Sequence, residues 1–141
     1  MAQVNPYLVF NGDCEAAFLV YKSVFGGEFP YIGRFGDMPP AEGQPELPAE
    51  DKNRIMHVSL PIGNTILMGS DSNSQAGVVK MGENVSISIN VDSREEADSI
   101  FKGLADVVKM PMTDTFWGAY FGMFTDKFGI HWMINFDEVK Q

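Results

Sequence analysis

His57 and His131 are the side chains of this sequence best suited to proton chemistry near neutral pH, and they are its only histidines. An unperturbed imidazole titrates near ~6.5, so either residue can donate, accept or transfer a proton, or ligate a metal. Each lies in a run of period two, Met56-His57-Val58-Ser59-Leu60 and Ile130-His131-Trp132-Met133-Ile134. In an extended chain, alternation sends His57 and Ser59 to one side and Met56, Val58 and Leu60 to the other. The same parity separates His131, Met133 and Asn135 from Ile130, Trp132 and Ile134. A third run, Val85 to Val91, sets Ser86, Ser88 and Asn90 against Val85, Ile87, Ile89 and Val91. The apolar sets require a helix to cover them, which leaves the polar sets on a concave sheet face. A few hydrogen-bonding groups among methionine and aromatic residues are what a small-molecule site needs. With Trp117, the candidate ligand-binding residues are His57, Ser59, Ser86, Ser88, Asn90, Trp117, His131 and Met133. The competing reading is structural: a wet sheet face tolerates polar residues, and tryptophan more often anchors a core than stacks on a ligand.

Several other chemistries lack their residues. There is no G-x-S-x-G nucleophile elbow and no G-K-[ST] phosphate loop. Gly26-Gly27 ends a helical pattern instead of opening one, so no glycine-rich strand-to-helix turn is available for S-adenosylmethionine. Cys14 is the only cysteine, which rules out an intrachain disulfide and a cysteine-based zinc site. Lys and Arg number 10 against 19 Asp and Glu, a formal net charge of −9. Such a surface repels phosphate backbones, so nucleic acid is not an expected partner. It could attract a cationic ligand, although acidic surfaces also serve solubility alone. The apolar runs fall far short of the ~20 residues that span a bilayer. The N-terminus, Met1-Ala2-Gln3-Val4-Asn5-Pro6, lacks the charged and apolar regions of a signal peptide. A cytoplasmic location without a membrane partner is expected.

The elements that must position these residues can be read in order. Tyr7 to Phe10 is a strand, and Asp13 is placed to cap the following helix. Ala17, Phe18, Tyr21, Val24 and Phe25 form the apolar stripe of that helix, and Gly26-Gly27 stops it. Strands are expected at Glu28–Phe35, Arg54–Leu60 and Thr65–Met68, the last two joined by a turn at Ile62-Gly63-Asn64. Between the first two lies Gly36 to Lys52, an acidic stretch holding Pro39, Pro40, Pro45 and Pro48, which reads as a long loop. Ser70 to Glu83 is a polar connector. The pattern then restarts, with a strand at Val85–Val91 and a capping box at Ser93-Arg94-Glu95-Glu96. A helix follows, bearing Ala97, Ile100, Phe101 and Leu104. Strands are expected at Val107–Met110, Trp117–Thr125 and Ile130–Phe136, with a turn at Asp126-Lys127-Phe128-Gly129. Strand–helix–strand–strand–strand thus occurs twice at an offset of about eighty positions. The expected fold is α+β, a single domain of two βαβββ modules spanning 1–72 and 84–138.

This doubled order resembles the vicinal oxygen chelate superfamily of glyoxalase I, extradiol dioxygenases and bleomycin-resistance proteins. More closely, it resembles the PhnB-like branch, also catalogued under a 3-demethylubiquinone methyltransferase label. The matching residues are Tyr7-Leu8-Val9-Phe10-Asn11-Gly12, Glu15-Ala16-Ala17-Phe18 through Tyr21, and Val24-Phe25-Gly26-Gly27. They continue with Met56-His57, Ile66-Leu67-Met68, Trp117-Gly118 and Asp126-Lys127-Phe128-Gly129-Ile130-His131-Trp132. The resemblance implies that each module curls into a partial barrel around a cavity, and it implies a homodimer. Metal-using members carry His or Glu at positions that fall here near Pro6, Ser86, Met68 to Ser70, and Met133. Proline and methionine do not supply the donors that Zn, Ni, Mn or Fe sites use, and Asn5 and Asp71 are the nearest polar substitutes. No metal and no other cofactor is therefore expected, and the leading reading is a metal-independent small-molecule-binding protein. The alternatives are a metal-dependent lyase or dioxygenase using His57 or His131, for instance with Asp71, and sequestration of a cationic antibiotic-like compound.

Overall fold

The computed structural model describes residues 1–39, 42–43 and 46–138, and these form two compact units, Met1–Lys80 and Met81–Gln141. In the first unit, β1 is Tyr7–Phe10, α1 is Cys14–Phe25, β2 is Tyr31–Arg34, α2 is Ala49–Lys52, β3 is Ile55–Ile62 and β4 is Thr65–Asp71. The sheet order is β1-β4-β3-β2. β1 runs parallel to β4, and the other neighbours are antiparallel. In the second unit, β5 is Ile87–Asn90, α3 is Arg94–Leu104, β6 is Val107–Asp114, β7 is Ala119–Thr125 and β8 is His131–Asp137. Its order, β5-β8-β7-β6, repeats the first, again with one parallel pair, β5 with β8. The fold is the expected α+β arrangement of two βαβββ modules, each with an open four-stranded sheet. Among the described residues, no helix is long and apolar enough to cross a membrane.

The repeat offset holds for only part of each unit. β1 and β5 begin at residues 7 and 87, and α1 and α3 at 14 and 94, but β4 and β8 begin at 65 and 131. The first unit spends extra chain between its helix and its hairpin, in the proline-rich stretch. That stretch is not wholly irregular. Phe35–Asp37 makes a short 3-10 turn, and Pro48 precedes the single helical turn of α2, a position where its missing N–H costs nothing. Pro40 and Pro45 lie outside the described residues. β2 is shorter than expected, starting at Tyr31 after Pro30, whereas β6 runs on to Asp114 through two register shifts.

Each helix covers one face of its own sheet. On α1, Ala17, Phe18 and Tyr21 are fully buried against Val58, Leu60 and Leu67 of the sheet. Phe18 meets Phe10 and Tyr21 edge-on, with ring centroids 6.4 and 5.4 Å apart, an arrangement aromatic quadrupoles favour. In the second unit, Ala97, Ile100 and Leu104 meet Phe124, Trp132 and Ile134. A register shift opposite Gly33 and Arg34 pairs them with His57 and Ile55 and skips Met56. Ile55 therefore enters the core where alternation placed Met56, which is half-buried.

The helix starts differ from expectation in one respect. Asp13 occupies the cap position of α1, but its side chain makes no capping bond. The buried carboxylate of Asp71, at the end of β4, does this instead. Its Oδ1 accepts from the N–H groups of Gly12 and Cys14 at 2.9 and 3.0 Å, and its Oδ2 accepts from Ile55 N–H at 2.9 Å. One carboxylate thus ties the helix start to two strands, and spacing along the chain could not reveal that. α3 carries the capping box: Glu96 N–H donates to Ser93 Oγ at 3.0 Å, and Glu96 Oε1 accepts from Asp92 N–H at 2.9 Å.

Candidate ligand site on the open sheet faces

The face of each sheet turned away from its helix carries most of the candidate residues. In the first unit, Ser59 is cross-strand from both Tyr31 and Met68, and Met68 from Tyr7. Cross-strand partners share a face, so β1, β4, β3 and β2 bring Tyr7, Met68, Ser59 and Tyr31 together. His57 is on this face opposite Gly33. Its ring is flanked by Tyr7 at 5.6 Å and Tyr31 at 5.8 Å between centroids, both tilted. The Tyr7 hydroxyl is 3.2 Å from His57 Nδ1. Nε2 has no hydrogen-bond partner among the described residues, and neither does the Tyr31 hydroxyl. Tyr31 reaches this position by lying along its own strand over Gly33, where an added Cβ would come within 2.5 Å of the Tyr31 hydroxyl. Only glycine leaves that path open. Tyr7 and Tyr31 remain 47% and 48% exposed, so the three rings form a wall that an incoming molecule can touch.

In the second unit, β5, β8 and β7 bring Ser88 beside Met133 and Met133 beside Met123, with Asn90 beside Asn135. Ser88 and Asn90 are exposed, while Ser86 lies just before the strand. Asn135 Nδ2 donates to Asn90 Oδ1 at 3.4 Å and to Asp137 Oδ1 at 3.0 Å. His131 is held at both ring nitrogens. A carbonyl oxygen can only accept, so Nε2–H donates to Gly82 O at 2.9 Å, and Nδ1 accepts from Thr125 Oγ1 at 3.0 Å. This imidazole fastens the segment before β5 to the sheet and leaves no ring nitrogen free for a ligand.

Trp117 is neither in a strand nor in the core. It sits in the turn between β6 and β7, 58% exposed. Its ring meets Phe116 and Phe121 edge-on, with centroids 5.0 and 6.3 Å apart. Tyr7 and Tyr31 were missed as site residues. Their alternation with Leu8 and Ile32 carried a signal, but the sheet order that brings β1 and β2 within reach of His57 is not a local property.

Charge is committed elsewhere. Asp126, buried, accepts from the N–H groups of Phe128 and Ile130 and from Trp132 Nε1 at 2.9 Å. Burial, with the carboxylates of Asp71 and Glu15 nearby, pushes the Cys14 thiol well up. It stays protonated and is a poor nucleophile.

The positions where the resemblance implies metal ligands do not fit a metal. The register aligns Tyr7 with Met68 and Ser88 with Met133, so Met68 and Met133 stand on the open faces where the last strands would supply donors. Asn5 Oδ1 accepts from Ile66 N–H at 3.0 Å, and Asp71 is bound by backbone on the helix side of the sheet, opposite His57. Among the described residues, no group of three or more His, Cys, Asp and Glu is placed to hold a metal ion.

Residues 2–135 match the model of a family described as 3-demethylubiquinone-9 3-methyltransferase, and the chain belongs to that family. It is 33% identical to protein YjdN of Escherichia coli (strain K12), over 94% of this chain and 93% of that one. The crystal structure of protein PA1353 from Pseudomonas aeruginosa is similar at 44% identity and a TM-score of 0.84, covering 97% of this chain and 98% of that one. In fold alone, the chain is similar to the PhnB protein from Bacillus cereus, at 22% identity and a TM-score of 0.73 over 96% and 99% of the two chains. It is also similar in fold to a glyoxylase/bleomycin resistance protein/dioxygenase domain from Frankia sp. EAN1pec, at 13% identity and a TM-score of 0.66 over 100% and 96%. In fold the chain is thus of the glyoxalase-like type that the sequence resemblance implies.

Proposed function

We propose that the chain binds a small organic molecule on the open face of its first sheet, with His57 as polar anchor and Tyr7 and Tyr31 as walls. A resident metal has no part in this reading. The observation that carries it is the half-buried imidazole of His57, held at Nδ1 and unpartnered at Nε2 among the described residues. A ring nitrogen that is open to solvent between two aromatic rings is available to a ligand, as a histidine bonded to the protein at both nitrogens is not. The fold supports the same class of function, because vicinal oxygen chelate domains commonly enclose small molecules.

The methyltransferase description of the family finds little to support it in the first strand-to-helix turn. The N–H groups of Gly12 and Cys14, which a cofactor there would use, already bind Asp71. The reading includes a homodimer, since Val107, Val108 and Met110 on strand β6 are exposed apolar residues and a second copy would cover them. Light scattering at micromolar concentration should give twice the chain mass. For binding itself, a fragment set screened by ligand-observed NMR should yield hits that vanish in His57→Ala while the melting temperature holds. Hits that all survive the substitution would overturn the site.

A further inference from the structure

We infer that the first-sheet site selects a flat, conjugated molecule bearing an oxygen acceptor, such as a carboxylate or enolate, because Tyr7 fixes His57 as a hydrogen-bond donor. The inference rests on the binding role proposed above for His57. A phenol is a good donor and a weak acceptor, whereas an unprotonated imidazole nitrogen is a strong acceptor. The 3.2 Å contact is therefore Tyr7 O–H donating to Nδ1. With Nδ1 accepting, the ring proton of the neutral imidazole resides on Nε2, the nitrogen that faces no protein partner. The site thus offers an N–H. The Tyr31 hydroxyl, also unpartnered among the described residues, stands on the same face beside the ring. Two donors flanked by aromatic faces complement a planar molecule that presents oxygen. Tyr7 is the positioning residue, acting through His57.

The global charge opposes this preference, which makes it a strong test. At −9 the chain attracts cations and repels anions at long range. Any preference for an anion must therefore come from local donors.

Benzoate and benzamidinium are nearly isosteric, one accepting hydrogen bonds and the other donating them. Each is titrated into the full chain at a pH of about 8, where an ordinary imidazole is neutral, and followed through the nitrogen-15 resonances of His57. The free protein should show the proton on Nε2. Benzoate should shift those resonances saturably, and benzamidinium should bind at least about tenfold more weakly. Tyr7→Phe should leave the melting temperature unchanged, mix the two tautomers and weaken benzoate about three- to tenfold. His57→Gln, which keeps an N–H near the Nε2 position, should retain most of the benzoate affinity, and His57→Glu should reverse the preference.

A proton found on Nδ1, or saturable binding of benzamidinium in preference to benzoate at His57, would overturn the donor assignment while leaving the binding role intact. Resonances of His57 that respond to neither probe would overturn both.

Discussion

The two units share one topology and use their histidines in opposite ways. His131 is bonded at both nitrogens, to Thr125 and to the carbonyl of Gly82, and works as a clamp. His57 is bonded at one nitrogen and leaves the other open between two tyrosine rings. The sequence context is nearly the same, an imidazole in an alternating strand with the apolar neighbours turned to a helix. What separates a structural histidine from an available one is the partner supplied from elsewhere in the unit. The buried carboxylates show a parallel contrast. Asp71 gathers three N–H groups, from the loop before α1, from the first residue of α1 and from β3, whereas Asp126 accepts from Phe128 and Ile130 in its own turn and from Trp132 of β8.

The largest expected effects probe that second contrast. Asp71→Ala strands three donors, two of them buried, and should destabilise the chain by about 3–5 kcal/mol. Asp126→Ala should cost less, about 1–3 kcal/mol, because the half-buried N–H groups of Phe128 and Ile130 can turn to water and Trp132 Nε1 is the one buried donor of the three named above. Urea denaturation of both variants ranks them. An Asp126 variant as damaging as the Asp71 variant would mean that the two carboxylates do equivalent structural work.

The histidines come next. His131→Ala should lower stability by about 1–2 kcal/mol through its two lost bonds and leave binding at His57 unchanged. His57→Ala should do the reverse, weakening a ligand of the first sheet by about 1–2 kcal/mol with stability nearly intact. Melting temperature and calorimetric affinity measured on both variants give four values, and only the crossed pattern fits the contrast. Loss of stability in both would make His57 a second clamp.

Element types and their order were legible because period and punctuation are local. The alternation around Val58 and Trp132, the helix stop at Gly26-Gly27 and the capping box at Ser93 each needed only a few adjacent residues. The inward parity of Ser59, Met133 and Asn90 followed directly. Three features were not legible. The shift that lets Ile55 replace Met56 in the core depends on pairing with β2. The Tyr7–His57 contact joins residues fifty positions apart, and alternation states which face a residue is on, not what stands beside it. Trp117 opens the strand expected over Trp117–Thr125, yet the hairpin turn at Thr115 to Gly118 claims it, and the strand starts at Ala119.

The smallest effects concern the helix starts, where the two units solve one problem by different means. A helix begins with unpaired N–H groups, and an oxygen acceptor at the cap stabilises it by about 1 kcal/mol. Ser93 provides that acceptor for α3 with its own side chain, so Ser93→Ala should cost about 1 kcal/mol. Asp13 holds the same position on α1 and makes no capping bond: its backbone, at φ −96° and ψ 6°, is not in the extended conformation from which a cap side chain reaches the second or third N–H, and Asp71 binds the N–H of Cys14 instead. Asp13→Ala should therefore change stability by less than about 0.5 kcal/mol, the range for surface substitutions without a specific role. What remains of its effect is the attraction of an exposed carboxylate to the positive end of the helix, and salt should screen it. Thermal melts of the two variants at low and high salt distinguish these origins. The Ser93 deficit should persist in salt, since it is a lost hydrogen bond, while any Asp13 deficit should fade. A salt-resistant loss of about 1 kcal/mol in Asp13→Ala would show that Asp13 caps its helix in solution and that Asp71 does not do so alone.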